Sequence, residues 1–575
     1  MKLEVSTIHI PNVRPKRILV IGGGPSGLVT LRNLRERGRF DDVQLVERRA
    51  DVGGVWYLPG GCTPDPFPSP AYPRLIGNVL PEFLSFSAFP PFPTPPCPVQ
   101  PFPTLAETHL YLHAFAAPLR AQGGVRLNTE VRRVEELPGG RGWRVVMRDW
   151  GVRDACGEDS GADNAPPEFE ETWDAVVVAV SWYDHPVYPP TPGLSRLVER
   201  GFVWHAKSWR NPAGYEGLPS FPPNPQDSSN SDIPPQRVLV VGNANSGNDI
   251  AAQLAAQCRT VVPDTHSHAA APDSEARGAW VYQSIRRPNF PGFPSLPDAR
   301  IVRVPPVVEY ILRDGGGIEV TGDTDNGTGL TNDDEGRRPT FDARLADGTL
   351  LRALDAVWLG TGYRPCPDFV HVRARDGATA ICADDTRLAP LLSPHTPAGA
   401  GIPQLHRHIL YAHNPALAFV GTAYASYTPF TLADVGSTWL ALAWSTADGE
   451  DKENSTGRGS GSIAYPTTLA GLLQFEAERR AAVEVARAEV AAAGSQNSDS
   501  QTPPPPSSLL SYTVLGPLEE AYAAGLRADA VHAAPALASV LPVWSAARTA
   551  EREAMFGVKR RALEAAVAGV GDGGE

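Results

Sequence analysis

Residues 17–56 read RILVIGGGPSGLVTLRNLRERGRFDDVQLVERRADVGGVW, and this stretch decides the fold. Ile18 to Ile21 is a short β-branched run of the kind a buried parallel strand needs. Gly22, Gly23, Gly24, Pro25, Ser26 and Gly27 follow at once, with glycine at the first, third and sixth places. Leu28 to Arg37 has helical character, and Val43 to Val46 is a second strand that ends in Glu47. Strand, glycine loop, helix, strand and acid in this order form the dinucleotide-binding βαβ fingerprint. Gly22 permits the tight turn, Gly24 admits a pyrophosphate to the backbone, and Gly27 lets helix and strand pack closely. The helix start offers unpaired N–H groups to phosphate. Glu47 is spaced to accept from ribose hydroxyls, and its charge would repel a 2′-phosphate, so FAD or NAD suits this loop better than NADP.

Working outward, the chain of 575 residues has room for two or three domains. The net charge of −13 and the lack of a basic stripe argue against a nucleic-acid partner. Six cysteines, far apart and without a CxxC or metal-like cluster, read as free thiols of a reducing compartment. The N-terminal residues lack the apolar run of a signal peptide, and no stretch is long enough to span a bilayer, so the expectation is a soluble cytoplasmic protein without membrane association. Proline is abundant, at 58 residues, and much of it falls between the periodic segments.

Next come Gly53, Gly54, Val55 and Trp56. The glycine pair would let backbone approach a ligand and Trp56 could cover a planar ring, but four residues alone read better as a turn with a buried tryptophan. A Pro-rich, aromatic segment containing Asn78 and Pro81 is irregular, and Asn78 by itself reads as a turn residue. Thr104 and Glu107 have capping-box spacing ahead of a helix to about Gln122. Val125 to Val134 looks like one strand, 151–171 an exposed acidic loop, and Asp174 to Val180 a buried strand leading into a Pro-punctuated connection. The opening pattern then returns: strand Arg237 to Val241, a second loop Gly242, Asn243, Ala244, Asn245, Ser246 and Gly247, and a helix Asp249 to Gln257. Two nucleotide folds suit hydride transfer between nicotinamide and flavin.

The second fold leaves its nicotinamide open. If Arg259 to Val262 is the next strand, Asp264 would face the ribose and favour NAD. If it is Trp280 to Gln283, Ser284 and Arg286 would grip a 2′-phosphate, for which a guanidinium fork is suited, although an Arg286–Arg287 pair on a solvated surface reads equally well. Further on, Asp355 to Gly360 mirrors the strand at 174–180, Leu417 to Gly421 is a strand, Phe430 to Trp444 a buried helix, and 467–492 an Ala-rich helix. Residues 216–235, 321–338, 447–462 and 494–508 are polar or low-complexity, and Trp544 to Val567 is a charged helix packing on the outside.

Taken together, GGGPSG at 22–27, Glu47, GGVW at 53–56, Asn78 with Pro81, GNANSG at 242–247 and TGY at 361–363 resemble the flavin-containing monooxygenases, and the tail and insertions resemble fungal members of that family. The resemblance implies an α/β fold with two Rossmann-like domains. The FAD domain would be discontinuous, 15–184 and 363–567 with a helical tail, and the NADPH domain, 185–362, inserted. It implies FAD and NADPH as cofactors, and Gly54, Val55, Trp56 and Val131 join the cofactor-binding candidates. It implies a dimethylaniline-type monooxygenase that uses oxygen, through a C4a-hydroperoxyflavin, on a soft nitrogen or sulfur nucleophile, with Asn78 as the catalytic amide. The family's FxGxxxHxxxY/F frame meets Gly201 and His205 but Glu199 and Trp209 at its ends. Trp209 is the residue of the similar Baeyer–Villiger enzymes, so a ketone oxygenase stays open, as does a non-catalytic redox-binding protein. His205 reads as a structural mark.

Overall fold

The computed structural model describes residues 8–10, 12–59, 66–151, 166–180, 183–211, 237–257, 280–287, 295–313, 340–364, 367–373, 387–392, 396, 401–423, 428–445, 461–496 and 510–571. Two compact units divide the chain: Met1–Ser69, Leu75–His185 and Arg364–Ala562 form the first, and Pro70–Arg74, Pro186–Tyr363 and Leu563–Glu575 the second.

The first unit is built on a seven-stranded sheet whose order is Leu405–His406, Leu410–Tyr411, Leu417–Phe419, Ala175–Val178, Arg17–Ile21, Asp42–Val46 and Val125–Arg126. Arg17–Ile21 pairs in parallel with Asp42–Val46 on one side and with Ala175–Val178 on the other. Ile18, Leu19 and Val20 are wholly buried. Each side chain of this size contributes about 1.5–3 kcal/mol on burial. Unbroken burial on both faces is why the strand reads as an apolar run rather than as an alternation. Two helices lie against each other beside this sheet, Pro25–Arg37 and Pro429–Trp444. Every residue of the second from Phe430 to Trp444 is buried, so its apolar sequence has no polar face.

A second sheet of this unit runs Leu388–Pro390, Val370–Arg373, Thr129–Glu136, Trp143–Asp149 and Glu168–Trp173. It corrects two expectations. Val125 to Val134 is not one strand: Asn128 takes a φ of 53°, so the chain breaks there, with Val125–Arg126 in the first sheet and Thr129–Glu136 in the second. Residues 168–171 are not loop but the start of strand Glu168–Trp173, whose carboxylates meet arginines, Arg148 across the ladder with Glu168 at 3.0 Å and Arg126 of the first sheet with Glu171 at 2.7 Å. Their charge is a solvated sheet face. Residues 152–165 lie outside the described residues.

The second unit holds a five-stranded parallel sheet in the order Ile301–Val304, Trp280–Ser284, Arg237–Val241, Ala356–Leu359 and Val203–His205. An antiparallel sheet of Val307–Leu312, Phe341–Leu345 and Leu350–Leu354 accompanies it. Trp280–Ser284 is the strand beside Arg237–Val241, which decides between the two sequence alternatives; 258–279, with Arg259 and Asp264, lies outside the described residues. The α/β class with two Rossmann-like folds is therefore present. Among the described residues no helix is long and apolar enough to cross a membrane.

Candidate functional site

The first glycine loop is shaped by backbone contacts that exclude side chains. Gly22 has φ +108°, and a Cβ on it would lie 2.9 Å from the Ala179 carbonyl oxygen. A Cβ on Gly27 would lie 1.8 Å from the Gly22 carbonyl oxygen, closer than any real contact. Pro25 fills the first position of the helix Pro25–Arg37, one turn earlier than its apolar pattern suggests, because its missing N–H is not needed there. That helix has neither a side-chain cap nor an acid in its first turn, so its first N–H groups are left for an anion.

Glu47 lies buried at the end of the second strand. Its Oε2 accepts from the Gly23 N–H at 2.6 Å and its Oε1 from the Arg49 N–H at 3.0 Å. A carboxylate has about four acceptor positions, so capacity for two hydroxyls remains. The residues therefore fit the phosphate and ribose of a dinucleotide.

Segment 53–56 is more than a turn. The Gly53 N–H donates to the Gly23 carbonyl at 2.8 Å, and a Cβ on Gly54 would lie 2.9 Å from Gly24 Cα. Gly54, Val55 and Trp56 form one 3-10 turn against the glycine loop, and all three are only half-buried. Arg49 secures this turn, donating to the Gly54 and Phe67 carbonyls at 2.8 Å each. Sequence reasoning missed Arg49, because no spacing marks a buried arginine that serves backbone carbonyls. It also missed Gly421, whose φ is +88° and where a Cβ would lie 2.7 Å from Ser26 Oγ; a glycine just past a buried strand was the signal. Val131 is half-buried two residues beyond Thr129, whose N–H donates to the Glu47 carbonyl at 2.8 Å.

Asn78 is half-buried in the same unit. The residues about it are tied down: the Gly77 N–H donates to the Pro103 carbonyl at 2.8 Å, and the Leu80 N–H points to Met555 Sδ at 3.3 Å. Among the described residues neither the Asn78 N–H nor its carboxamide makes a hydrogen bond, so both are available. The helix that supplies Met555, Ala546–Gly571, is therefore not an external decoration as its charge suggested. Arg552 and Met555 are buried in it, and Arg552 pairs with buried Glu519 at 3.2 Å.

The second loop repeats the first. Gly242 has φ +112°, and a Cβ on it would meet the Gly360 carbonyl oxygen at 2.5 Å. A Cβ on Gly247 would meet the Gly242 carbonyl oxygen at 2.4 Å. The helix behind it is Asn245–Gln257. Asn243 donates to the Arg287 carbonyl at 2.7 Å, Ala244 and Asn245 are exposed, and Ser246 is half-buried. Gln283 donates to the Gly242 carbonyl and to Asn248 Oδ1, both at 3.0 Å. Ser284 is buried, and its hydroxyl donates to the Pro305 carbonyl at 3.1 Å. Arg286 and Arg287 are exposed just beyond it.

His205 and Trp209 are both buried. The Lys207 N–H donates to His205 Nδ1 at 3.1 Å, so Nε2 carries the proton and donates to the Gly362 carbonyl at 3.1 Å. Burial holds this histidine at a pKa of about 4, against the smaller upward pull of that carbonyl. Trp209 is buried edge-on against Trp358, with ring centres 4.9 Å apart.

Paired glycine loops, each following a parallel-paired strand, define the fold class of two-dinucleotide flavoproteins. The flavin-binding monooxygenase-like family model matches residues 15–291, just under half of the chain, which are similar to that family. The flavin-containing monooxygenase FMO GS-OX3 of Arabidopsis thaliana is 29% identical over 289 residues, 48% of this chain and 53% of that protein. FMO GS-OX-like 2 of the same plant is 24% identical over 464 residues, 77% of this chain and 76% of its own. At the higher identity the chain thus spans about half the length of its relative. The solved S-allyl-L-cysteine S-oxygenase of Allium sativum, 21% identical with a TM-score of 0.52, covers 89% of this chain and 88% of its own, and shares the fold.

Proposed function

We propose that this protein is an FAD- and NADPH-dependent monooxygenase that places one oxygen atom on a soft nitrogen or sulfur nucleophile of a small molecule. The carrying observation is the duplicated loop: Gly27 packs against Gly22 and Gly247 against Gly242, so each loop turns tightly into the start of a helix. The S-oxygenase activity in the name of its Allium fold relative supports the choice of a soft acceptor. When bound, flavin would take a hydride from nicotinamide and activate dioxygen.

The chain's own residues would bind, orient and shield. Glu47 would accept from the ribose hydroxyls of FAD, which would account for a buried carboxylate. The two helix starts would take the pyrophosphates. Arg286 would supply the charge for a 2′-phosphate, with Arg287 beside it. Asn78 would orient the bound dinucleotides through an amide that donates and accepts at once. Oxygen transfer to a nucleophile with its own lone pair asks no side chain for a proton.

Purified protein should be yellow and should oxidise NADPH with oxygen, forming an amine or sulfide oxide in step. Asn78→Ala should keep the flavin and its reduction yet lose at least about 100-fold in product formation. A wild-type rate in that variant would remove Asn78 from the reaction. No flavin reduction by either NADPH or NADH would replace the proposal by a binding protein.

A further inference from the structure

The helix Ala546–Gly571 presents Arg548, Arg552, Met555 and Lys559 at spacings of four, three and four residues, which places them on one face. Three of the four reach the segment around Asn78. Lys559 Nζ donates to the Gly77 carbonyl at 2.7 Å and lies 4.9 Å from the centre of the Phe102 ring. Met555 Sδ receives the Leu80 N–H at 3.3 Å. Arg548 sits 4.5 Å from the Phe83 ring centre and 3.5 Å from the Glu82 carboxylate. The fourth, Arg552, fixes the helix itself through buried Glu519, and Thr549 bonds Glu520 beside it.

We infer that this C-terminal helix is a clamp that positions Asn78, with Lys559 as the positioning residue. The inference rests on the reading of Asn78 given above. Gly77 carries the carbonyl of the peptide whose N–H belongs to Asn78. A cation on that carbonyl polarises the whole peptide group and strengthens the Asn78 N–H as a donor. The same contact and the Leu80–Met555 contact hold the segment on both sides of Asn78, so its carboxamide is presented from a fixed backbone. A residue separated from the clamp by 482 positions of chain, Gly77, is thereby placed by the tail.

The test compares Lys559→Met with Lys559→Arg in the full-length, flavin-loaded protein. Lys559→Met should speed amide exchange in 75–84 by roughly tenfold, the loss of one hydrogen bond to a charged donor, while the glycine loop at 22–27 keeps its protection. It should leave flavin content and the rate of reduction by NADPH unchanged and raise the peroxide released per NADPH several-fold. Lys559→Arg should restore both. Unchanged exchange in 75–84 would overturn the clamp whatever the turnover does. Faster exchange with unchanged coupling would overturn the positioning role. If Asn78→Ala itself turns over normally, the reading of Asn78 has failed, and the exchange measurement still decides whether the clamp exists. If Lys559→Met does not fold, Met555→Leu replaces it. That variant keeps the volume but loses the sulfur acceptor, and it should loosen Leu80 selectively; unchanged exchange there would count against the clamp.

Discussion

A methyl group at Gly27 would occupy the space of the Gly22 carbonyl oxygen. Gly27→Ala should therefore yield protein without bound flavin, measured as loss of the visible absorbance of the purified chain, and a yellow variant with normal flavin content would contradict the loop geometry. In the second loop the positions separate by what their atoms already do. The hydroxyl of Ser284 is engaged by Pro305, so Ser284→Ala should leave the Michaelis constant for NADPH within about twofold. Arg286→Ala should raise it about tenfold or more for NADPH and little for NADH, since only the former brings a phosphate for the guanidinium. Equal effects on both coenzymes would assign Arg286 to the surface. Glycine order and the acid at Glu47 were legible in sequence because their spacing is local. The Pro305 partner of Ser284 was not legible, because it comes from another strand end, 21 residues on.

At the scale of elements, the buried charge of Asp434 joins two helices and a turn. Its Oδ1 is 3.2 Å from both Arg32 and Arg37, and its Oδ2 accepts the Ser87 N–H at 2.6 Å. Asn33 adds bonds to Asp434 and Ser437, at 3.0 and 2.7 Å. Asp434→Ala would strand two guanidinium groups in the core, and it should lower stability by about 3–5 kcal/mol, read from the urea midpoint. A shift under about 1 kcal/mol would mean that water reaches the arginines. The capping box of Leu105–Ala121 is a smaller device: Thr104 Oγ1 receives the Glu107 N–H at 3.2 Å and Glu107 Oε2 the Thr104 N–H at 2.8 Å. Thr104 and Glu107 announce themselves in sequence because they lie one turn apart. Asp434 does not, since its partners are about 400 residues away and a lone Asp inside an apolar helix has no pattern to join.

For the molecule as a whole, three buried histidines among the described residues bear on acid stability. Burial lowers His205 and His406 to about 4 and His408 to about 3, from 6.5. Arg407 adds to the lowering at His406, and Arg479 and Arg480 at His408. The unfolded chain binds protons at these groups near 6.5 while the folded chain stays neutral, so their contribution to stability is complete above that pH and is lost as pH falls toward 4. Thermal unfolding should move down steadily from about pH 7 to about pH 5, with about 1–2 kcal/mol lost per histidine. A constant midpoint over that range would mean that the histidines are already solvated.

Local order sufficed for much of this protein: two strand–glycine–helix units, the largely apolar helix Pro429–Trp444, and a helix start at Thr104 follow from neighbours in sequence, because hydrogen bonding and steric fit over a few residues act alike in every context. Tertiary structure decided the rest. It chose Trp280–Ser284 as the partner strand, broke Val125 to Val134 at Asn128, buried His205 and Trp209, and set Met555 and Lys559 on either side of Asn78. These outcomes depend on which surfaces meet once distant segments pack, and the free energy of a contact between residues hundreds of positions apart leaves no periodic trace along the chain.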